Sequence, residues 1–300
     1  MNLFRAAFLL AATAACCPAC TMRLPPGEDD FSFRPDSSKT YTITLLKQKE
    51  DSGTYNGKPF KYILREKAGM QLRLIRREDT LYHMQCRFTC YKEVRADSVA
   101  IEKDTAVYEP MPSAEEIKRN ANREIQSWYV LAAGVPMDVW MNGRGEAVWA
   151  AGYDRIVDSV VARSHADRRT VAYVLREKLG ETAVQDYLNE VFAFVPARPV
   201  DTGKSWVVDQ TLVNLAPVLL SNVYVLKQRG GDTALLGVTT YLSARRSAQG
   251  LLYMKGKQTG RLTASYATGI PYEYRAEGGT LVQTDKYERP AKRAVYVVVR

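Results

Sequence analysis

Two stretches of this chain alternate apolar and polar residues over about 15 positions each, Thr80–Val94 and Leu252–Tyr266. Period-two alternation is the mark of a strand with one buried face. Strands of that length exceed the usual 3–10 residues, and such strands twist and curl. Gly256 and Gly260, on the apolar parity of the second stretch, suit a bend or a close approach. Tyr82, Met84, Cys86, Phe88 and Cys90 share one face of the first stretch, with His83, Gln85, Arg87, Thr89 and Glu93 on the other. On that spacing Cys86 and Cys90 lie about 13 Å apart along a strand, too far to bridge.

Further strands are expected at Tyr41–Lys47, Phe60–Arg65, Gln71–Arg77 and Ser98–Tyr108. Asp51–Lys58 reads as a loop and Ala68-Gly69 as a break. After the helices come Trp206–Val213, Val218–Gln228, Thr233–Ala244, Ile270–Glu277 and Ala294–Val299. Asn142-Gly143-Arg144-Gly145 sits between the apolar runs Met137–Met141 and Glu146–Ala150, which is a hairpin signal with positive φ expected at Asn142 and Gly143. Trp140 and Trp149 come from opposite arms and are expected to pair, in the core or as a ligand floor.

Between the strand blocks the period changes to that of helices. Ser113…Glu116 forms a capping box ahead of Ile117, Ala121, Ile125 and Trp128. Residues 154–192 then carry three apolar stripes: Ile156, Val157, Val160 and Val161; Val171, Val174, Leu175 and Leu179; Val184, Tyr187, Leu188, Val191 and Phe192. Ser164…Asp167 resembles a second capping box, with His165 in the first turn, and Gly180 stands at a helix end. Each helix has one apolar face that must be covered. The expected fold is α+β and mainly β. It is a large curved antiparallel sheet, half-barrel-like, with amphipathic helices inserted mid-chain and packed on its apolar face.

The N-terminus sets the compartment. Arg5 precedes the apolar run Ala6–Ala15, half the length of a membrane-spanning helix. Thr13-Ala14-Ala15-Cys16 resembles a bacterial lipobox, with Ala19-Cys20 as the alternative. The domains expected are a lipoprotein signal at 1–15, a lipidated tether at 16–39 and a single β-rich domain at 40–300 with its helical insertion at about 154–192. Cys16, or else Cys20, would carry acyl chains that hold the protein to membrane lipid in the cell envelope, at the outer membrane and facing periplasm or exterior. Ordinary cleavage after Ala15 would leave a soluble periplasmic protein.

The chain holds 42 Lys+Arg against 33 Asp+Glu, a net charge of +9. The bases are scattered and carry no nucleic-acid signature, so no nucleic-acid partner is expected. Chemistry-bearing motifs fail one by one. Cys17-Pro18-Ala19-Cys20 mimics a redox pair but lies in the signal or tether. Arg198–Ser205 ends Gly-Lys-Ser like a phosphate loop, yet lacks the first glycine and leads into a strand. The two histidines, His83 and His165, belong to no zinc motif, and His83, Met84, Cys86 and Cys90 would draw a metal from both faces of one strand. No catalytic residue, metal ligand or cofactor is assigned. A carboxylate pair for glycan hydrolysis cannot be composed from sequence alone.

Gly145–Val148, Ala151–Asp154 and Phe194–Trp206 resemble a family of bacterial envelope lipoproteins of unknown function over roughly 40–285, through a Pro-Val-x-x-Gly-x-x-Trp segment. The resemblance implies a lipid anchor and a β-rich fold and adds no catalytic residue. The function expected is non-enzymatic, structural or interaction-based. The alternatives are a carrier holding an apolar ligand on the concave sheet face, and an envelope glycan or peptide hydrolase.

Overall fold

The computed structural model describes residues 31–55, 58–98, 123–213, 217–244, 252–284 and 288–300. The expected lipidation residues Cys16 and Cys20, the capping box at Ser113 and the strand past Ser98 lie outside them.

The first strand block is β1 (Thr40–Tyr55), β2 (Lys58–Glu78) and β3 (Leu81–Ser98). Helix α1 (Arg123–Ala132) leads to the hairpin β4 (Pro136–Asn142) and β5 (Ala147–Ala151). Helices α2 (Tyr153–Ser164), α3 (Arg168–Leu179) and α4 (Glu181–Phe192) follow. The second block is β6 (Ser205–Val213), β7 (Pro217–Gly230), β8 (Thr233–Ala244), β9 (Leu252–Ser265), β10 (Pro271–Thr284) and β11 (Glu288–Val299).

All of these strands form one antiparallel sheet of 11, in the order β5-β4-β3-β2-β1-β11-β10-β9-β8-β7-β6. The first and last strands are neighbours in its middle, Ile43 opposite Val299 and Asp51 opposite Ala291. The edges are therefore β5 and β6, the two strands that the helical segment joins. The sheet does not close on itself. Instead α4 lies across the opening and meets both edges through one residue. Asn189 accepts from the Ala147 amide at 2.7 Å, and its carbonyl accepts from Gln210 Nε2 at 3.0 Å. At β5 an amide side chain thus takes the place of a missing strand partner, which protects an edge that would otherwise invite pairing, while at β6 the Gln210 side chain reaches the α4 backbone.

The alternation in the sequence becomes the inner face. Ile43, Leu45, Met70, Leu72, Met84, Val139, Met141, Leu236, Leu262 and Val297 are buried there. The helices cover them with the expected stripes, and Ile156, Val157, Val160, Val171, Leu175, Leu179, Val184, Leu188 and Phe192 are wholly buried. Two aromatic residues of the stretch read as tether also belong to this core. Phe33 is fully buried, with its ring edge-on to Tyr82 and Phe192 at 5.6 Å each. Phe31 stacks on Tyr266 at 5.1 Å. The Phe33 amide donates to the Gly143 carbonyl at 2.9 Å, which pins the start of the described chain to the β4–β5 turn.

Several local expectations change. β1 extends to Tyr55 and β2 begins at Lys58, so strand takes up all of the described part of the expected loop, and β2 runs on through Ala68-Gly69, where Ala68 is a core residue and a Cβ at Gly69 would meet Thr89 Oγ1 at 2.5 Å. In the 142–145 turn only Gly145 has positive φ, at 77°. Asn142 Oδ1 instead accepts from the amides of Arg144 and Glu146, so a side chain organises the turn. The cap of α3 is Asp167, which accepts from the Thr170 amide at 2.8 Å, and His165 ends α2 with φ 57°. Gly180 ends α3 as expected.

Candidate functional site

Deeper along the inner face the apolar pattern gives way to charge. Glu66 of β2 accepts from the Tyr187 hydroxyl at 2.5 Å, and Lys178 of α3 pairs with Glu93 of β3 at 3.3 Å. Lys47 of β1 pairs with Glu190 of α4 and lies over the Tyr187 ring at 4.9 Å. Burial alone would lower the Lys47 pKa, but the carboxylates of Glu190 and Glu66 outweigh it and leave the ammonium above its ordinary value. Lys178 follows the same balance, with Glu66 and Glu93 overcoming burial. These pairs tie the helices to the sheet. Asp186 of α4 has a buried Oδ2 without a hydrogen-bond partner. Burial raises its pKa to about 6, Lys47 lowering it and Glu190 adding to the rise.

Beside this network a cavity of 290 Å³ opens on the concave face. Its apolar walls include Leu220, Tyr224, Leu242 and Val295. Between those walls runs a polar row set by strand register. Lys49 stands opposite Arg293, Arg293 opposite Gly278, Gly278 opposite Gln258, Gln258 opposite Thr240, and Thr240 opposite Asn222. Six adjacent strands thus contribute one position each to a line across the sheet. Asn222, Thr240 and Gln258 are buried, and Thr240 Oγ1 donates to Asn222 Oδ1 at 2.7 Å. Lys49 pairs with Asp51 at 2.8 Å.

The sequence placed no ligand residue here. A signal was present in five of the six strands: a polar residue on the apolar parity, such as Gln258 between Gly256 and Gly260, or Arg293 between Ala291 and Val295. What the sequence cannot show is that these interruptions fall at one register.

Residues 93–271 match the profile of DUF6263, a family of unknown function. The chain belongs to that family. No curated protein sequence matches it. Among solved structures, an outer membrane channel from Pseudomonas putida F1 is 9% identical with a TM-score of 0.23, covering 92% of this chain and all of its own length. The translocator domain of the autotransporter NalP from Neisseria meningitidis is 7% identical with a TM-score of 0.17, over 86% of this chain and 88% of its own. OpdK from Pseudomonas aeruginosa is 5% identical with a TM-score of 0.16, over 88% of this chain and 99% of its own. Scores this low show no shared fold and carry no argument about this chain.

The DUF6263 match is narrower than the 40–285 expected. It takes in the helices and β6 to β9, but not β1 and β2, which supply Lys47, Lys49 and Glu66. Other residues singled out in the sequence sit apart from the cavity. A bulge at Thr89 turns Cys90 away from the inner face and brings in Tyr91 and Glu93, so only Cys86 of the two thiols is a core residue. Burial pushes the Cys86 thiol up to about 12, which makes it unreactive. Trp140 and Trp149 do pair, with ring centroids 4.2 Å apart, but on the outer face; Trp149 is 56% exposed. His83 stacks on Trp140 at 4.6 Å and bonds Asp138 at 3.0 Å. Val139 and Met141 are the inward residues of β4, so its parity turns Trp140 outward. Gly203, in the Gly-Lys-Ser stretch, has φ 87° and turns the chain into β6, where Trp206 Nε1 donates to the Phe194 carbonyl at 2.7 Å.

Proposed function

We propose that this DUF6263 protein is a non-enzymatic lipoprotein of the bacterial envelope, held at the outer membrane through acylated Cys16 or Cys20. Its concave sheet face binds an amphiphilic molecule. The observation that carries the binding role is the 290 Å³ cavity between apolar walls and a polar row. That volume lies just under the usual span of ligand pockets, roughly 300–1,000 Å³.

A hydrolase needs carboxylates free to exchange protons with a substrate. The two that line the cavity are engaged instead, Glu66 with Tyr187 and Glu190 with Lys47. This supports binding over catalysis.

Native mass spectrometry of the protein extracted from cells tests the binding role. A co-purified small amphiphile is the expected result, and a clean apo mass would refute it. Labelling with an alkyne fatty acid tests the anchor: Cys16→Ser or Cys20→Ser should abolish the label, and an unlabelled wild type would overturn the tether.

A further inference from the structure

We infer that Arg293 is the head-group receptor of this cavity and that the ligand is a single-chain amphiphile with an anionic head. The inference rests on the binding role proposed above and names the ligand class.

Arg293 points inward from the middle of the sheet, between Ala291 and Val295, and lines the cavity. The other cations nearby already have carboxylates. Lys49 is held by Asp51, Lys47 by Glu190 and Lys178 by Glu93. Arg293 makes no ion pair among the described residues. Its one side-chain hydrogen bond among the described residues is a long approach of Nη2 to Met254 Sδ at 3.7 Å, its Nε is buried without a hydrogen-bond partner, and the carboxylates of Asp51 and Glu190 act on it only through space. A half-buried guanidinium whose Nε lacks an acceptor is costly, and its fork of donors fits a carboxylate or phosphate. Burial also pulls its pKa below the ordinary guanidinium value, with Asp51 and Glu190 opposing.

No side chain stands opposite Arg293 on β10: that position is Gly278, where the β9 backbone comes so close that a Cβ would meet the Lys257 carbonyl oxygen at 2.1 Å. Gln258, Thr240 and Asn222 continue the row and offer neutral donors and acceptors. Leu220, Leu242 and Val295 flank the row, so an alkyl chain leaving the head runs over apolar surface. The cavity's 290 Å³ holds a head and a short chain but not a two-chain lipid.

The test is calorimetric titration of the full-length protein with decanoate, with decanol, and with inorganic phosphate in competition. Decanoate is expected to bind at least about tenfold more tightly than decanol, the margin of hydrogen bonds to a charged group. Arg293→Met should bring decanoate down to the affinity of decanol, and Arg293→Lys should keep part of the preference. A circular dichroism spectrum and unfolding midpoint like those of the wild type show that the Met variant is folded. Equal binding of decanoate and decanol by the wild type would overturn the Arg293 assignment and leave the cavity as a binding site. Displacement of decanoate by phosphate at matched concentration would overturn the single-chain ligand, since the site would then take a free anion. Failure of both decyl compounds to bind would refute the binding role itself, and the inference with it.

Discussion

Phe33→Ala tests how firmly the start of the described chain is built into the core. The ring has no solvent exposure and meets Tyr82 and Phe192 edge-on at 5.6 Å. Removing it forfeits the transfer free energy of a phenyl group and leaves a cavity, together about 3–5 kcal/mol for a buried Phe. Two aromatic contacts at about 0.5–1.5 kcal/mol each lie within that sum. The backbone bonds from Phe33 to Gly143 and from Arg34 to Thr268 remain, so the segment stays near its place and cannot collapse to fill the hole. Guanidinium chloride unfolding, followed by tryptophan fluorescence, should show the midpoint fall at unchanged slope. Phe33→Leu should cost roughly half as much, since it restores most of the volume. A loss below about 1 kcal/mol for the alanine variant would refute the reasoning, because only a detached tether tolerates that change.

Asp186→Asn should stabilise the protein at pH 8 and do nothing at pH 4. The folded carboxyl, with a pKa of about 6, binds its proton more tightly than the unfolded one, so stability drains away as pH rises from about 4 through 6. Solvent screening at this half-exposed position limits the gain to about 1 kcal/mol, read from denaturation curves at the two pH values. Tyr187→Phe should cost about 1.5–3 kcal/mol by leaving Glu66 without its donor, measured by thermal unfolding. Gly145→Ala should cost about 2 kcal/mol or more, because φ is 77° and a Cβ would sit 2.2 Å from the Phe192 carbonyl oxygen; a neutral effect in the same assay would contradict the turn geometry.

The fold was legible where one physical rule acts alone. Alternation in Leu252–Tyr266 gave the inner face of β9, and the stripe from Val184 to Phe192 gave the buried face of α4. Reading failed where a single residue shifts the phase. One bulge at Thr89 exchanges Cys90 for Tyr91 and Glu93 on the inner face. Side chains that replace backbone partners, such as Asn142 in its turn and Asn189 between the sheet edges, are equally silent in a hydrophobicity pattern. The polar row was illegible for a third reason. Its members are spread from Lys49 to Arg293, and it is the pairing of β1 with β11 that sets these two residues side by side.

Methyl-resolved NMR of the protein saturated with decanoate tests the central claim directly, namely that the concave face holds an amphiphile with its head at Arg293. Contacts from the alkyl chain to the methyl groups of Leu220, Leu242 and Val295 are the predicted result. Contacts confined to outer-face residues such as Val148 and Val207, with those three methyl groups unmoved, would contradict it.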